Sequence, residues 1–554
     1  MPQPRIALVS AVDAGGIDPT GDHRPFSYAA RKLEASLRAD PTLEGIEVRV
    51  FDLETLEVEP FFEALSDYGP TLVGATAYVW SLPTFLRLAA RLKAERPEVV
   101  FVLGGPSARA SVMRLEPYAP YASAIDALVP GEGEQIIRDL ARLHLGGGWQ
   151  ALPGLLRFDG TKWVSTGPAP RPLLDAYPTP YHLGLAPPGT SGYVETFRGC
   201  PIHCTFCQWG DKRADRVYSR AYLAEQLAAL KEGGVRDLFF LDAGFNLSAR
   251  GFRNLIDAER EVGLFASCHA YGHVYPTHLK PEHVDAIAAF ERVQLAVGIQ
   301  SFDPAVLAEV QRPFDMGRFE RMLEHLRGRM SLSMELILGL PGDRPESFKR
   351  TFERTVALAD TVRVYWCLVL PDALLDRQRA EQAIRFDPVT WRLVSCATWS
   401  ERELEETWAW LCREAESMPQ AVLHPTWVGF ATTEHPVEYR YGAPVPRRDG
   451  SGWAAAPVEA AVMGRLRRCL SEGAGGWALL GARREGHRIA VELGTPEGAL
   501  HLVAEPDRAD LRRFRSVGGV AYWHRGRIGR AAAAQLSEAI DLLHPEITRL
   551  VGRS

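Results

Sequence analysis

The chain has 554 residues, 46% of them hydrophobic, and a formal net charge of −6 at pH 7. That length suits roughly three or four domains, and so mild an acidity gives no overall electrostatic reason to expect nucleic acid or an acidic membrane surface. No uninterrupted apolar stretch is long enough to span a bilayer, and eight cysteines are too sparse for a disulfide framework. The opening residues do not read as a signal peptide. A cytoplasmic protein without nucleic-acid or membrane partners is therefore expected, in reducing conditions that suit free thiolates.

Residues 1–147 read as alternating strands and helices. Arg5–Ser10, Ile46–Asp52, Leu72–Thr76 and Val99–Leu103 form buried strands, and Ala127–Val129 a short further one. Helices are expected from about Pro83 to Arg96, with Ser81 near the cap, and over Gln135–Leu145. Such alternation predicts an α/β fold, a doubly wound (Rossmann-like) parallel sheet with its ligand at the carboxyl ends of the strands. Glycine at those ends lets the backbone approach a ligand closely. Residues 148–190 are rich in glycine and proline and read as a linker with one small hairpin.

From Tyr193 the strand–helix pattern repeats six times. Candidate strands are 193–197, 237–242, 264–269, 293–299, 333–338 and 362–370, with helices near 220–232, 249–261, 281–290, 315–328 and 345–359. Six such units predict a six-stranded partial (β/α)6 barrel over 191–375, with its chemistry in loops at the strands' carboxyl ends. The first of those loops holds Cys200, Cys204 and Cys207, spaced C-x3-C-x2-C, with Phe206 just before the last. Three thiolates this close can hold three irons of a 4Fe-4S cluster and leave the fourth without a protein ligand. A structural zinc site, by contrast, closes with four ligands, usually as two cysteine pairs. His203 lies awkwardly inside the triad, and the other five cysteines are scattered singly.

Residues 376–554 are expected to be helical and then α+β, covering the barrel mouth or the substrate. Trp391, Trp399, Trp408, Trp410 and Trp427 fall at spacings that favour core packing. Helices Val458–Ser471 and Ala531–Leu543 and strands Arg488–Leu493 and Leu500–Ala504 follow, with no recognised motif. The basic stretches Arg512–Arg515 and Arg525–Arg530 read as solvated faces.

The cysteine spacing with its aromatic resembles the radical S-adenosylmethionine (SAM) superfamily, in which the open iron binds the amino and carboxylate groups of SAM. Upstream, Thr76-Ala-Tyr78-Val79-Trp80, Gly104-Gly105-Pro106-Ser107 and Gly131-Glu132-Gly133-Glu134 resemble the cobalamin-binding domain of cobalamin-dependent (class B) radical SAM enzymes. By that resemblance these residues, with Asp13, would contact cobalamin. The Asp-x-His-x-x-Gly of methionine synthase-type domains is absent, since Asp22-His23 has the wrong spacing. The resemblance therefore implies base-off cobalamin with no histidine axial ligand and with Tyr78 and Trp80 beneath the corrin. Packing of Trp80 on the following helix is the plainer reading.

The resemblance also implies SAM contacts: Asp242 and Asn246 with the amino group, Gln300 and Ser301 with the ribose or carboxylate, and the backbones of Phe206 and Leu340 with adenine. It implies a methyltransferase of natural-product or peptide biosynthesis using two SAM molecules. One methylates cob(I)alamin; the other yields a 5′-deoxyadenosyl radical that takes hydrogen from an unactivated carbon of a small-molecule or peptide substrate. Flavodoxin or ferredoxin would donate electrons. Ring contraction or cyclisation without methyl transfer, and a polar methyl transfer, use the same parts. No side-chain catalyst beyond the cofactors is needed.

Overall fold

The structure is a computed structural model. It describes residues 4–11, 26–53, 55–187, 190–209, 216–290, 292–326, 329–417, 422–424, 427–431, 437–440, 443–446, 456–457, 465–466, 469–470, 478–485, 488–495, 498–506, 515–518, 520–525 and 530–551. Asp13, Asp22 and His23 lie outside them, as does most of the helix expected over Val458–Ser471. Two compact units divide after Pro446.

The first unit opens with strands β1 (Arg5–Ala11), β2 (Glu47–Leu53), β3 (Leu72–Thr76), β4 (Val100–Gly104) and β5 (Ala127–Val129). They are parallel, in the order β2-β1-β3-β4-β5. Alternate residues of β1 serve two separate cores. Ile6 and Leu8 pack with α1 (Tyr28–Arg38) and α4 (Glu134–Gly146), Ala7 and Val9 with α2 (Val58–Tyr68) and α3 (Leu82–Glu95). Burial on both faces is why these strands read as continuous apolar runs. The hairpin read as part of a linker, β6 (Leu156–Phe158) and β7 (Trp163–Ser165), instead extends this sheet to seven strands through antiparallel pairing with β5. Trp163 enters the sheet's core, so packing rather than composition decides where the hairpin belongs.

Strands β8 (Gly192–Val194), β11 (Asp237–Phe240), β12 (His269–His273), β13 (Arg292–Gln300), β14 (Ser331–Leu338) and β15 (Thr361–Trp366) form the second sheet, parallel throughout. The short pair β9 (Phe197–Arg198) and β10 (Arg216–Val217) brackets the cysteine loop. Helices α5 (Arg220–Glu232), α6 (Ala249–Val262), α7 (Pro281–Ile287), α8 (Pro304–Glu309), α9 (Met316–Leu326) and α10 (Pro345–Leu358) intervene.

The third of these strands lies five residues later than its apolar run predicts. Leu264 and Phe265 donate their N–H groups to Glu259, and the Phe265 ring stacks on Phe290 with centroids 3.7 Å apart. That run therefore packs in the helix layer, leaving the alternating His269–His273 to pair.

After β15 the predicted helical region is mixed. It holds a single turn, α11 (Leu374–Arg377), a hairpin β16 (Arg385–Phe386) and β17 (Leu393–Ser395), and one long helix, α12 (Glu401–Ser417). Strands β18 (Val422–His424) and β19 (Trp427–Ala431) then pair antiparallel beyond β15, giving an eight-stranded sheet. Trp391, Trp399 and Trp427 are buried and Trp408 and Trp410 pack on the core, as their spacing suggests. Trp391 leaves its own segment to stack on Tyr118, in the connection between β4 and β5, and joins the core beside the first sheet.

The second unit is a separate antiparallel sheet: Ala456–Pro457, Ala478–Glu485, Arg488–Thr495, Gly498–Pro506, Val520–Arg525 and Arg515–Val517 in spatial order. Its core is closed by the helix Arg530–Ile547, and Arg515 pairs with Asp541 at 2.7 Å.

Candidate cofactor site

The cysteine loop leaves the first strand of the second sheet and is held from several sides. Thr205 N–H donates to the Val310 carbonyl, Gln208 Nε2 to that of Pro371, and Arg377 Nη1 to that of Cys204. Cys207 N–H donates to the Cys204 carbonyl at 3.3 Å, a tight turn between the second and third cysteines. Burial pushes the Cys207 thiol up to about 11, with further push from Cys204 and Cys200. Arg312 is the nearby cation: its Nη1 sits 3.6 Å from Cys204 Sγ and its Nη2 donates to the Gly298 carbonyl. Three soft, crowded thiols would be stabilised as thiolates by iron, and this donor set fits a cluster. No three His, Cys, Asp or Glu side chains among the described residues are grouped to hold a single metal ion. Arg312, on a loop after α8, carried no signal in the sequence.

Two predicted SAM contacts present unpaired acceptors. Asp242 Oδ1 accepts from Thr196 N–H, Thr196 Oγ1 and Phe197 N–H, whereas Oδ2 is buried with no partner. Gln300 stands at φ 68°, after an irregularity that breaks the β13–β14 register, with its Oε1 buried and unpartnered. Buried acceptors without donors suit a ligand that brings N–H or O–H groups.

Other predicted contacts are already engaged. Asn246 uses both polar atoms on the Tyr275 backbone, Ser301 Oγ accepts from Asp303 N–H, and the Leu340 carbonyl accepts from Trp399 Nε1. Phe206 is half-buried against the barrel core.

Burial holds the Asp242 carboxyl at about 7, against three hydrogen bonds that favour its ionised form. A folded value above the unfolded one means its contribution is full below about 3.8 and lost as pH rises through about 7. Asp242→Asn keeps the Oδ1 acceptor and cannot ionise. In cofactor-free protein its thermal midpoint should match the wild type only at about pH 4 and below, and exceed it by a margin that grows up to about pH 7 and then levels off; parallel pH curves would refute this.

At the carboxyl edge of the first sheet, Gly105 has φ 99°, and a Cβ there would lie 2.9 Å from the Ala77 carbonyl oxygen. Ser107 N–H donates to that carbonyl, and Ser107 Oγ is buried without a partner. Ser81 Oγ ties the turn to the Thr76 carbonyl, and Tyr78 and Trp80 stack with centroids 4.6 Å apart. Trp80 is 46% exposed, so packing on α3 does not account for it. Val79 packs at the margin of the core. A glycine cradle, an orphaned hydroxyl and an open aromatic face together fit a large planar cofactor.

In the turn Gly131–Glu134, which the resemblance places against cobalamin, the two carboxylates are ion-paired within the protein. A Cβ on Gly133 would meet Leu33 Cδ2 at 3.0 Å, so helix packing demands glycine there. Glu132 pairs with Arg198 Nη1 at 3.0 Å and also with Arg216, while Glu134 pairs with Arg198 Nη2 at 2.5 Å. The other predicted residues of this set, Gly104, Pro106 and Gly131, remain at the sheet's carboxyl edge.

A parallel sheet with an open aromatic edge is thus followed in the chain by a second parallel sheet whose first loop bears three cysteines. Family models agree: the B12 binding domain matches residues 28–141 and the radical SAM superfamily residues 194–355. The chain matches a B12 binding domain followed by a radical SAM domain, the order of parts in cobalamin-dependent radical SAM enzymes.

It is similar to the 2-(S-pantetheinyl)-carbapenam-3-carboxylate methyltransferase of Streptantibioticus cattleyicolor, at 28% identity over 55% of this chain and 48% of that protein. The cobalamin-dependent radical SAM methyltransferase TokK of Streptomyces tokunonensis is 27% identical, with the same coverage. The chain thus matches about half the length of these relatives. Its fold resembles that of OxsB with aqua-cobalamin and SAM bound (TM-score 0.58, 13% identity, 75% of this chain and 67% of that one). It also resembles TsrM from Kitasatospora setae (TM-score 0.53, 21% identity, 67% and 75%). No helix among the described residues is long and apolar enough to cross a membrane.

Proposed function

We propose that this enzyme is a C-methyltransferase of specialised metabolism, acting on an unactivated carbon of a small molecule or peptide. The observation that carries the reading is the pairing in one compact unit of the Cys200–Cys207 loop with the Gly105 cradle and the stacked Tyr78 and Trp80. Methyltransferase names among the relatives support the reaction type. When bound, the cluster supplies an electron for SAM cleavage and cobalamin supplies a methyl carrier.

The chain's own residues position and shield. Cys200, Cys204 and Cys207 hold the cluster, with Arg312 against Cys204. Asp242 Oδ2 and Gln300 Oε1 would receive donors of SAM, and Gly104–Ser107 and the Tyr78–Trp80 pair would hold cobalamin. Electrons come from a small donor such as flavodoxin or ferredoxin. The protein works in the cytoplasm, apart from nucleic acid and membrane.

An anaerobic assay with reductant and methyl-deuterated SAM, using intermediates from neighbouring biosynthetic genes as substrates, tests this. The expected result is a deuteromethylated product together with 5′-deoxyadenosine. A rearranged, unmethylated product would overturn methyl transfer, and methylation without 5′-deoxyadenosine would overturn the radical route.

A further inference from the structure

The second sheet has two unlike faces. Leu295, Val297, Met334, Leu336, Val362 and Val364 point to the helices and form the main core. Strand alternation sends their neighbours to the opposite, concave face. Near β8 and β11 that face is filled by aromatic side chains, Phe26 packing on Tyr193 and Phe239. Across β12, β14 and β15 it is charged instead, carrying His273, Glu335 and Arg363.

Burial opposes ionisation of Glu335, but His273 and Arg363 outweigh it and hold the carboxyl at about 2. His273 Nε2 lies 3.2 Å from Glu335 Oε2, and Tyr365 Oη donates to Oε1 at 3.4 Å. Arg363 Nη1 donates to Tyr365 Oη and stands 3.8 Å from Glu335. The Arg363 side chain is 9% exposed and the Tyr271 hydroxyl lies beside it, yet neither Nε nor Nη2, both buried, has a partner within hydrogen-bond geometry. The Trp427 ring lies 5.1 Å from its guanidinium carbon. None of this charge is used in holding the cysteine loop or the glycine cradle.

We propose that the free edge of Arg363 anchors a carboxylate of the substrate inside the barrel. Nε–H and Nη2–H lie on one side of the planar guanidinium, and two parallel donors are the geometry that a carboxylate accepts in a fork. The nearby ionised Glu335 disfavours a dianion such as a phosphate monoester, so the single charge of a carboxylate suits the site better. His273 keeps 41% of its side chain exposed, leaving an approach to the cluster of charges. Aromatic walls exclude water from the guanidinium and strengthen the contact. The inference rests on the concave face being the substrate chamber of the proposed reaction.

The test uses full-length protein reconstituted with iron, sulfide and cobalamin, saturated with SAM and without reductant, so that no probe reaches the open iron. Binding of benzoate and of 4-phenylbutyrate is measured by calorimetry, each against its uncharged amide and against phenyl phosphate. Each acid should bind about tenfold or more tightly than its amide, the range of charged hydrogen bonds. Arg363→Gln should erase that preference, with iron and cobalamin contents as the check on folding. Glu335→Gln, which removes the neighbouring anion, should tighten acid binding several-fold. Equal or absent binding of acid and amide would overturn the proposal, as would tighter binding of phenyl phosphate. A preference that survives Arg363→Gln, or acid binding no tighter in Glu335→Gln, would do the same. Reductant added to the same preparation reports 5′-deoxyadenosine, so failure of the catalytic reading is seen separately.

Discussion

Cys200→Ala, Cys204→Ala and Cys207→Ala are each expected to reduce 5′-deoxyadenosine formation to background and to remove the visible absorbance of the cluster. Each substitution takes one of three thiolate ligands from a site with no protein donor to spare, because the other described cysteines sit elsewhere in the core. The loop itself should survive, since its anchors are backbone contacts to Val310 and to the Pro371 and Arg377 segment. Cys268→Ala is the control. Its thiol donates to the Val235 carbonyl at 3.2 Å, away from the cysteine loop, so the substitution should cost about 1 kcal/mol and leave SAM cleavage intact. Cleavage retained by all three loop variants, measured anaerobically by chromatography, would refute the cluster assignment.

Arg198→Met is expected to destabilise the first unit strongly, by about 3–5 kcal/mol, because it strands buried carboxylates. Arg198 lies two residues before Cys200. Its Nε contacts both oxygens of Glu195 at 3.1 Å, and its Nη2 contacts Glu134 at 2.5 Å and Tyr218 Oη at 3.3 Å. Tyr218 in turn donates to Glu195. Burial pushes Glu134 up, yet Arg198 brings it below its ordinary 4.5. A depressed carboxylate contributes stability that is present above the unfolded value and lost as pH falls through the folded one. The gap between wild type and Arg198→Met should therefore be widest near pH 7 and narrow below about 4.5. Thermal midpoints across that range decide it, and a gap independent of pH would show that Arg198 acts by packing alone. Cobalamin content as purified should fall as well, because Glu134 opens α4 of the cofactor sheet while Arg198 opens the cysteine loop.

Much of the site is legible in the chain because its signals are local. The cysteine spacing is a property of eight consecutive residues, and Leu-Gly-Gly-Pro marks a tight turn wherever it ends a buried strand. The alternation of Met334-Glu335-Leu336 and Val362-Arg363-Val364 also places two charges on the inward face of predicted strands. Elsewhere tertiary packing decides what the local pattern leaves open. The apolar Leu264–Cys268 run looks like a strand, and Glu259 and Phe290 draw it into the helix layer. Glu132 and Glu134 sit in a glycine turn that resembles a ligand loop, and Arg198 and Arg216, far along the chain, claim their carboxylates.

The sequence alone determined the chemistry on offer: three thiolates in one loop after a strand, downstream of a glycine-edged parallel sheet. Short-range spacing is enough for that, since neighbouring residues cannot separate. Only the tertiary structure decided which buried charges are spent and which are free. Glu134 meets Arg198 across 64 residues, whereas Arg363 meets Glu335 across one strand register and keeps two donors unpaired. Such pairings depend on which strands lie side by side and which face each residue takes, and the order of residues along the chain does not contain that.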